Sequence, residues 1–276
     1  MTASTFVYDS DQPRTPLVTE FRNLWAYRGL LRLLVTRDLT VRYKRSALGV
    51  WWTLLNPLLT MAVLWIIFSQ VFRFQIPGIP YTVYLLSGML VVTSFAQGVN
   101  ATGAAMVNNA NVLSKVYVPA EVFAFASGAA AGVNLAISLI PLFAIQLVTG
   151  TGIPWTALLI PIPLIALTAF TVGVGLIIAA LAIYFYDVLD LTNVLIQLVS
   201  YLAPTFYPID IVPERFRIFI EVNPLYAFLE VFRGFAYEGV FADALSFIYM
   251  GASAVVMLGL GLWVFSKSWK NLVVLL

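Results

Sequence analysis

The sequence contains neither cysteine nor histidine among its 276 residues. Without cysteine the chain forms no disulfides and no thiolate metal sites. Without histidine it also lacks the commonest metal ligand and the usual acid–base group near neutral pH. These two absences disfavour hydrolase and metalloenzyme chemistry, and we expect no cofactor and no metal on this chain.

Charged residues are scarce too, at 10% of the chain, whereas hydrophobic residues make up 61% and the mean hydropathy is +0.94. Soluble domains carry about 25% charged residues. A single globule cannot bury this much apolar surface, so we expect lipid to act as its solvent. The composition predicts an all-α membrane protein with membrane lipid, and no nucleic acid, as a partner.

Two sources of transport energy are also missing. None of the four lysines follows a glycine, which excludes the Gly-Lys-Ser/Thr loop that binds the phosphates of ATP. The centres of the predicted helices contain no Asp, Glu or His, on which ion-coupled transporters usually depend. Two classes remain, a passive channel and a permease that another polypeptide drives.

Uncharged tracts of roughly 20 residues or more, the length of a bilayer crossing, occur along most of the chain. Breaks at IPGIP and TGTGIP separate them into six predicted transmembrane helices, at residues 50–72, 81–106, 122–148, 156–184, 191–209 and 245–266. An even number places both termini on one side, and most cations lie on that side. The positive-inside rule makes it the cytoplasm, so we predict a multi-pass protein of the cytoplasmic (inner) membrane.

The chain before these crossings divides into two parts. Residues 1–23 are polar and predict a flexible cytoplasmic tail, whereas 24–46 predict an amphipathic helix; residues 47–276 form the six-helix domain. Leu24, Leu31 and Leu34 lie on one face of that helix, and most of its cations lie off it. The basic face is either an anchor on anionic lipid or a docking surface for a cytoplasmic partner, and both interpretations stay open.

Two connecting segments differ from simple loops. Residues 108–121 form either a turn or a short transverse helix, Asn111–Val116, that receives movement from a partner. Residues 208–243 carry too many charges to cross the membrane, yet they are rich in aromatic residues. We predict a re-entrant helical hairpin here, with arms Pro213–Val222 and Pro224–Tyr237. An ion pair between Glu230 and Arg233 is expected on its second arm.

Aromatic residues make up 14% of the chain. An interfacial aromatic belt and ordinary packing account for most of them. The alternative is a conduit for sugars, because aromatic faces stack on the apolar faces of sugar rings without needing charge. The candidate glycan-lining aromatics are Trp51, Trp52, Tyr81, Tyr84, Phe95, Tyr201, Phe206 and Tyr207.

One long motif resembles a known family. The stretch LLVTRDLTVRYKRSALGVWWTLLNPLLTMAVLWIIFSQVF (Leu33–Phe72) is similar to the entry motif of polysaccharide-export ABC transporter permeases. These membrane subunits export O-antigen, capsule, teichoic acid or galactan. The similarity continues through KVYVPAEVF (Lys115–Phe123), YFYDVLDL (Tyr184–Leu191) and NPLYAFLEVFRGF (Asn223–Phe235).

The resemblance implies a homodimer, two copies of a separate ATP-binding subunit that holds ATP and magnesium, and a lipid-linked glycan as substrate. It implies that Leu24–Val41 is a cytoplasmic interface helix. Our hypothesis is that the lipid pyrophosphate approaches this basic region, where Arg37, Arg42, Lys44 and Arg45 supply positive charge. The candidate residues of the interface helix and the pyrophosphate site are Arg28, Arg32, Arg37, Asp38, Arg42, Lys44 and Arg45. It also implies a coupling helix that contacts the ATPase through Asn111, Val112, Leu113, Ser114, Lys115, Val116 and Tyr117. The outer gate of such permeases corresponds here to Pro213, Pro224, Phe228 and Phe232.

We therefore expect a non-enzymatic permease subunit that exports a lipid-linked polysaccharide. The excess of arginine over lysine is typical of a GC-rich host and favours a cell-wall galactan. An ABC permease for a drug or small lipid shares the six-helix plan and remains the first alternative. An ATP-independent channel or scaffold is the second.

Overall fold

The computed structural model describes residues 22–43, 46, 48–49, 51–73, 76–113, 115, 118–185 and 187–275. Residues 1–21 of the predicted tail lie outside the described residues, and residues 22–26 are helical. The α-helices, in chain order, are α1 (Arg28–Tyr43), α2 (Trp51–Trp65), α3 (Tyr81–Gly103), α4 (Ala105–Asn108), α5 (Ala110–Leu113), α6 (Glu121–Thr149), α7 (Pro161–Ala182), α8 (Asp187–Leu202), α9 (Glu214–Glu221), α10 (Pro224–Arg233) and α11 (Ala244–Leu275).

Shorter helical pieces extend three of these helices. A π-helix, Ile66–Val71, continues α2; a 3-10 helix, Trp155–Leu159, precedes α7; and a second π-helix, Gly234–Glu238, follows α10. The described residues contain no β-strand, only an isolated bridge between Ile76 and Ile79. The prediction of an all-α protein is confirmed over this part of the chain.

Among the described residues, five helical segments are long and apolar enough to cross a membrane: Trp51–Val71, Tyr81–Gly103, Glu121–Thr149, Trp155–Ala182 and Ala244–Ser268. They coincide with five of the six predicted crossings. The remaining one, predicted at 191–209, corresponds to α8, which has 16 residues and is therefore about 24 Å long. A hydrocarbon core is about 30 Å thick, so the sixth crossing stays a prediction.

Helix α3 lies at the centre of the helix bundle. Most of its side chains are buried, whereas Met61 is the one buried residue among those described in α2. Helices α6 and α7 pack against α3, and α11 packs against α7. This arrangement gives α2 an apolar outer face suited to lipid and places polar side chains of α2 in a groove beside α3 and α6.

Glycines allow α7 and α11 to approach closely. A Cβ atom added at Gly261 would lie 2.9 Å from the Cα of Gly173 and closer still to the carbonyl oxygen of that residue. The backbones of the two helices therefore touch at this crossing. The hydrophobic effect does not drive helices together in lipid, so van der Waals packing matters more, and small residues permit the close approach that it needs.

The predicted hairpin corresponds to α9 and α10, which differ sharply in burial. Helix α9 exposes Phe216 and Phe219, whereas most of α10 is buried in the core. Asn223 joins the two helices: its side chain accepts a hydrogen bond from the amide of Leu225 and donates one to the carbonyl of Val199 in α8. Whether the hairpin re-enters the membrane stays a prediction.

The ion pair expected between Glu230 and Arg233 does not form. Glu230 instead accepts hydrogen bonds from Tyr226, at 2.6 Å, and from Ser246 at the start of α11. Arg233 turns toward Ser87 in α3. A bond within α10 and contacts with α11 and α3 thus replace the ion pair, which is worth only about 0.2–0.5 kcal/mol on an isolated helix.

Buried side chains satisfy the backbone of the π-helix that follows α10. The hydroxyl of Thr156 donates to the carbonyl of Phe235 at 3.0 Å. The amide of Gln146 in α6 donates to the carbonyl of Ala236, also at 3.0 Å. Because unsatisfied carbonyls are costly away from water, these two bonds stabilise the irregular turn and attach it to neighbouring helices.

Candidate functional site

Three of the long helices, α2, α3 and α6, line a groove whose surface is partly polar and partly apolar. Its volume is about 290 Å³, close to the lower end of ligand pockets, which range from about 300 to 1,000 Å³. Eight of the lining side chains carry a hydroxyl or an amide group: Thr53, Asn56, Thr60, Thr93, Ser94, Gln97, Asn134 and Ser138. We call this surface the polar groove.

The polar groove arises from one polar face on each of the three helices. These faces contain pairs four residues apart: Asn56 and Thr60, Thr93 and Gln97, and Asn134 and Ser138. Residues four apart lie on the same side of a helix. Uncharged polar groups in a membrane helix are stable when they face other protein groups or a water-filled cavity, so the three faces meet.

The lining offers both hydrogen-bond donors and acceptors. Thr93 and Ser138 donate their hydroxyl hydrogens to carbonyls of their own helices, at 2.6 and 2.8 Å, which leaves their lone pairs as acceptors. The amides of Asn56 and Gln97 are on exposed side chains and supply both kinds of group. Trp52, 47% exposed, adds an aromatic face.

None of the described residues that line the polar groove is charged. Nor does the described part of the chain bring three or more acidic side chains close enough to share a metal ion. Neutral donors and acceptors beside an aromatic face suit a ligand rich in hydroxyl groups.

A second cluster lies at the distal end, which we define as the end where α3 begins and α10 ends. The hydroxyl of Tyr81 donates to the carbonyl of Phe206 at 2.6 Å. The hydroxyl of Tyr84 lies 2.8 Å from the carbonyl oxygen of Pro204 and 2.7 Å from that of Tyr207. These tyrosines satisfy the backbone where α8 has ended and the chain is no longer helical.

Aromatic contacts reinforce the distal cluster. The rings of Phe68 and Phe206 stack with centroids 5.9 Å apart, and those of Tyr81 and Tyr84 with centroids 6.2 Å apart. Such pairs add about 0.5–1.5 kcal/mol each beyond the area they bury. The cluster therefore holds the non-helical segment 203–208 against the start of α3.

Arg233, the last residue of α10, is buried in this cluster at 7% exposure. Its guanidinium carbon lies 3.7 Å from the centroid of the Tyr84 ring, and its Nε donates to the hydroxyl of Ser87 at 3.4 Å. Burial raises the pKa of the nearby Glu238 carboxyl, and the charge of Arg233 opposes that rise. The cation–π contact thus joins α10 to α3.

The opposite end of the molecule carries a network of polar contacts around α1. Asp38 pairs with Arg37 at 2.9 Å and accepts a hydrogen bond from Ser127 of α6 at 3.3 Å. Arg37 also donates to Asn109, which lies between α4 and α5, at 3.2 Å. These bonds connect α1 both to a long helix and to the segment that follows α3.

Glu121, the first residue of α6, is buried and accepts a hydrogen bond from Asn23 at 2.9 Å. A carboxylate in the first turn also interacts favourably with the positive end of the helix dipole. This contact attaches the residues before α1 to the same end of α6.

The basic residues predicted to face a pyrophosphate are only partly described. Arg28 and Arg32 are exposed on α1, and Arg28 lies over the ring of Trp25. Arg37 is committed to the network of Asp38 and Asn109. Lys44, Arg45 and the side chain of Arg42 lie outside the described residues.

The predicted coupling helix is partly described as well. Asn111, Val112 and Leu113 are the last three of the four residues of α5, and Lys115 is exposed in a turn. Ser114, Val116 and Tyr117 lie outside the described residues. Contact with an ATPase stays a prediction for all seven.

The candidate aromatics fall into different environments. Tyr81, Tyr84 and Phe95 are buried within this chain; Trp51, Trp52 and Tyr201 are exposed; and Phe206 and Tyr207 lie between these extremes. Of the eight, only Trp52 lines the polar groove. A lining role for the others stays a prediction.

The candidate gate residues also separate by burial. Phe228 and Phe232 are each 1% exposed in the core, whereas the residue before α9, Pro213, is exposed. Pro224 is the first residue of α10. Their function as a gate stays a prediction.

Comparison with known proteins places this arrangement in a family. Residues 29–237 match the family model described as ABC-2 type transporter. The chain belongs to this family. The match to the ABC-2 model runs from α1 through α10, so it includes the three helices that line the polar groove and the network around Asp38.

The relatives of this chain include proteins described as permeases and as transport proteins. The chain is 31% identical over 248 residues to the O-antigen export system permease protein RfbA of Klebsiella pneumoniae, covering 89% of this chain and 94% of that protein. It is 29% identical over 239 residues to RfbA of Myxococcus xanthus, covering 86% and 91%. It is 21% identical over 241 residues to the polysialic acid transport protein KpsM of Escherichia coli, covering 83% and 89%.

Proposed function

We propose that this protein is the permease subunit of an ATP-driven exporter that moves a lipid-linked polysaccharide across the cytoplasmic membrane. Family membership and the O-antigen permeases among its relatives support a polysaccharide as cargo. The observation that carries the proposal from the structure is the polar groove, since uncharged hydroxyl and amide groups between membrane helices suit a sugar chain.

The exporter works as a homodimer of this chain with two copies of a separate ATP-binding subunit, each with its own ATP and magnesium. ATP binding moves the segment Asn111–Tyr117. The polar network at Arg37, Asp38 and Asn109 supports this step, because it lets movement of that segment reach α1 and α6 together. In this scheme both termini lie in the cytoplasm.

The lipid pyrophosphate approaches the basic region near α1, where Arg42 and Lys44 supply positive charge. Replacing both residues with glutamine reduces export and leaves assembly intact. Full export by this double variant would remove the pyrophosphate step from the proposal. Among polysaccharides, the excess of arginine over lysine favours a cell-wall galactan.

Two experiments test the function itself. The full chain, purified from its host membrane, should bring down an ATP-binding protein in equal amount. Reconstituted with that protein, it should move a lipid-linked glycan across vesicles only when ATP and magnesium are present. Transport without ATP would favour a channel, and transport of small lipids but no glycan would favour the other permease class.

A further inference from the structure

We propose that the polar groove binds neutral sugar residues and rejects anionic ones, so that the exported polymer is built from uncharged units. This inference rests on the proposed function and adds the substrate class. It assigns a binding role to Asn56 and Gln97, to which the sequence patterns assigned none.

The charge of the lining carries the argument for selectivity. Eight neutral hydroxyl and amide groups line the groove, and no described lining residue is cationic. A carboxylate or phosphate that leaves water for a site between membrane helices needs a paired cation, or it stays too costly to bind. A sugar hydroxyl needs only a neutral donor or acceptor, which the lining supplies.

The positions of the described cations agree with this selectivity. Arg37 is paired with Asp38 at the α1 end, and Arg233 lies over Tyr84 in the distal cluster. Neither residue lines the polar groove. An anionic unit inside the groove would therefore face only uncharged partners.

The size and shape of the groove suit a short piece of a polymer. About 290 Å³ holds roughly ten water molecules at about 30 Å³ each, which leaves room for a sugar ring and not for a folded glycan. Trp52 offers an aromatic face on which such a ring can stack. Neutral hydrogen bonds and one stacking contact bind weakly, as a sliding polymer requires.

The test uses the full chain in lipid nanodiscs and two hexasaccharides of equal length, neutral maltohexaose and an α2,8-linked sialic acid hexamer. Saturation-transfer NMR measures the binding of each. We expect a signal from the neutral hexamer and none from the anionic one. Equal signals, or a signal from the sialic acid hexamer alone, would overturn the inference.

Variants separate the groove from other surfaces. Gln97→Leu and Asn56→Leu should each weaken maltohexaose binding about tenfold, the value of one lost neutral hydrogen bond. The matched control is Gln197→Leu, because Gln197 is an exposed glutamine on α8 outside the groove. It should leave binding unchanged. Equal effects of Gln97→Leu and Gln197→Leu would contradict the assignment.

A reversal of selectivity gives the sharpest test. Asn56→Lys places a cation in the groove and should create binding of the sialic acid hexamer while weakening that of the neutral one. If it does not, charge does not set the specificity and the inference fails.

Mass photometry on the same variants detects the other occupant of a polar helix face, a second copy of this chain. Loss of the dimer in Asn56→Leu, with maltohexaose binding unchanged, would also overturn the inference.

These outcomes are independent of the proposed function. An exporter that works with ATP while its groove shows no preference for neutral sugars disproves the inference alone. A chain that binds neutral sugars yet associates with no ATP-binding protein disproves the proposed function alone.

Discussion

The crossing of α7 and α11 predicts a large difference between two glycines on one helix. Gly259 and Gly261 are two residues apart on α11, and alanine is the smallest change at either position. A Cβ at Gly259 would meet no heavy atom within 4 Å, whereas one at Gly261 would lie 2.9 Å from the Cα of Gly173 and closer to its carbonyl oxygen. Real Cβ atoms keep at least 3.0 Å from such atoms.

The magnitude follows from two opposing effects. Alanine is favoured over glycine in a helix by up to about 1 kcal/mol, so Gly259→Ala should be neutral or slightly stabilising. At Gly261 the contact is with backbone, which cannot rotate away, so the helices must separate. Overpacking of this kind costs about 1–3 kcal/mol. The gain in helix propensity is common to both variants and cancels when they are compared. We therefore expect Gly261→Ala to be less stable than Gly259→Ala by the overpacking alone, about 2 kcal/mol.

Reversible unfolding in mixed detergent micelles, followed by circular dichroism, measures the free energy of unfolding of both variants. Gly251→Ala is a second control, since its Cβ would also lie in open space. If Gly261→Ala matched both controls within experimental error, close backbone contact would not hold α7 against α11, and our account of the bundle would be refuted.

Three further substitutions test contacts at the two ends of the molecule. Tyr84→Phe removes the hydroxyl shared by two carbonyls of the segment 203–208, so it should lower the free energy of unfolding by about 1–3 kcal/mol; no loss would mean that these carbonyls find other donors. Asn223→Ala removes both the cap of α10 and the bond to Val199, and a loss of less than about 0.5 kcal/mol in the same assay would count against that double role. Asp38→Ala breaks a partly exposed ion pair worth at most about 1 kcal/mol, yet it should reduce ATP-dependent export; unchanged export would exclude α1 from the coupling path.

Long apolar tracts predicted most of the helices well, because hydrophobicity over some 20 residues is a strong local signal. The predicted crossing at 81–106 is α3, Tyr81–Gly103, and that at 122–148 is α6, Glu121–Thr149. The boundary of α8 was harder to predict. The crossing predicted at 191–209 begins later than α8, because Asp187 and Asp190 form part of the first turn of α8, where acidic side chains interact favourably with the helix dipole.

Contacts between distant residues could not be predicted from local patterns. Glu230 and Arg233 have the spacing of an ion pair, yet Glu230 accepts a hydrogen bond from Ser246 on α11 and Arg233 donates one to Ser87 on α3. The aromatic content suggested rings along a conduit, whereas Tyr81 and Tyr84 are turned inward to satisfy a non-helical backbone. Which face of a helix is buried depends on neighbours that the spacing does not specify.

The sequence contains a local pattern that corresponds to the polar groove. Asn56 and Thr60, and likewise Asn134 and Ser138, are polar pairs four residues apart within long apolar tracts. Each pair alone indicates a polar helix face. Only the packing of α2 beside α3 and α6 brings these faces together.

The two side-chain bonds at the π-helix limit how the transport cycle can proceed. Thr156 and Gln146 bind the carbonyls of Phe235 and Ala236 in a setting with little water to replace them. Sliding this segment past its neighbours would break both bonds at once. We therefore expect the π-helix, the distal end of α6 and the 3-10 helix before α7 to travel as one rigid block. An opening then has to form away from this block, beside a more exposed helix such as α2.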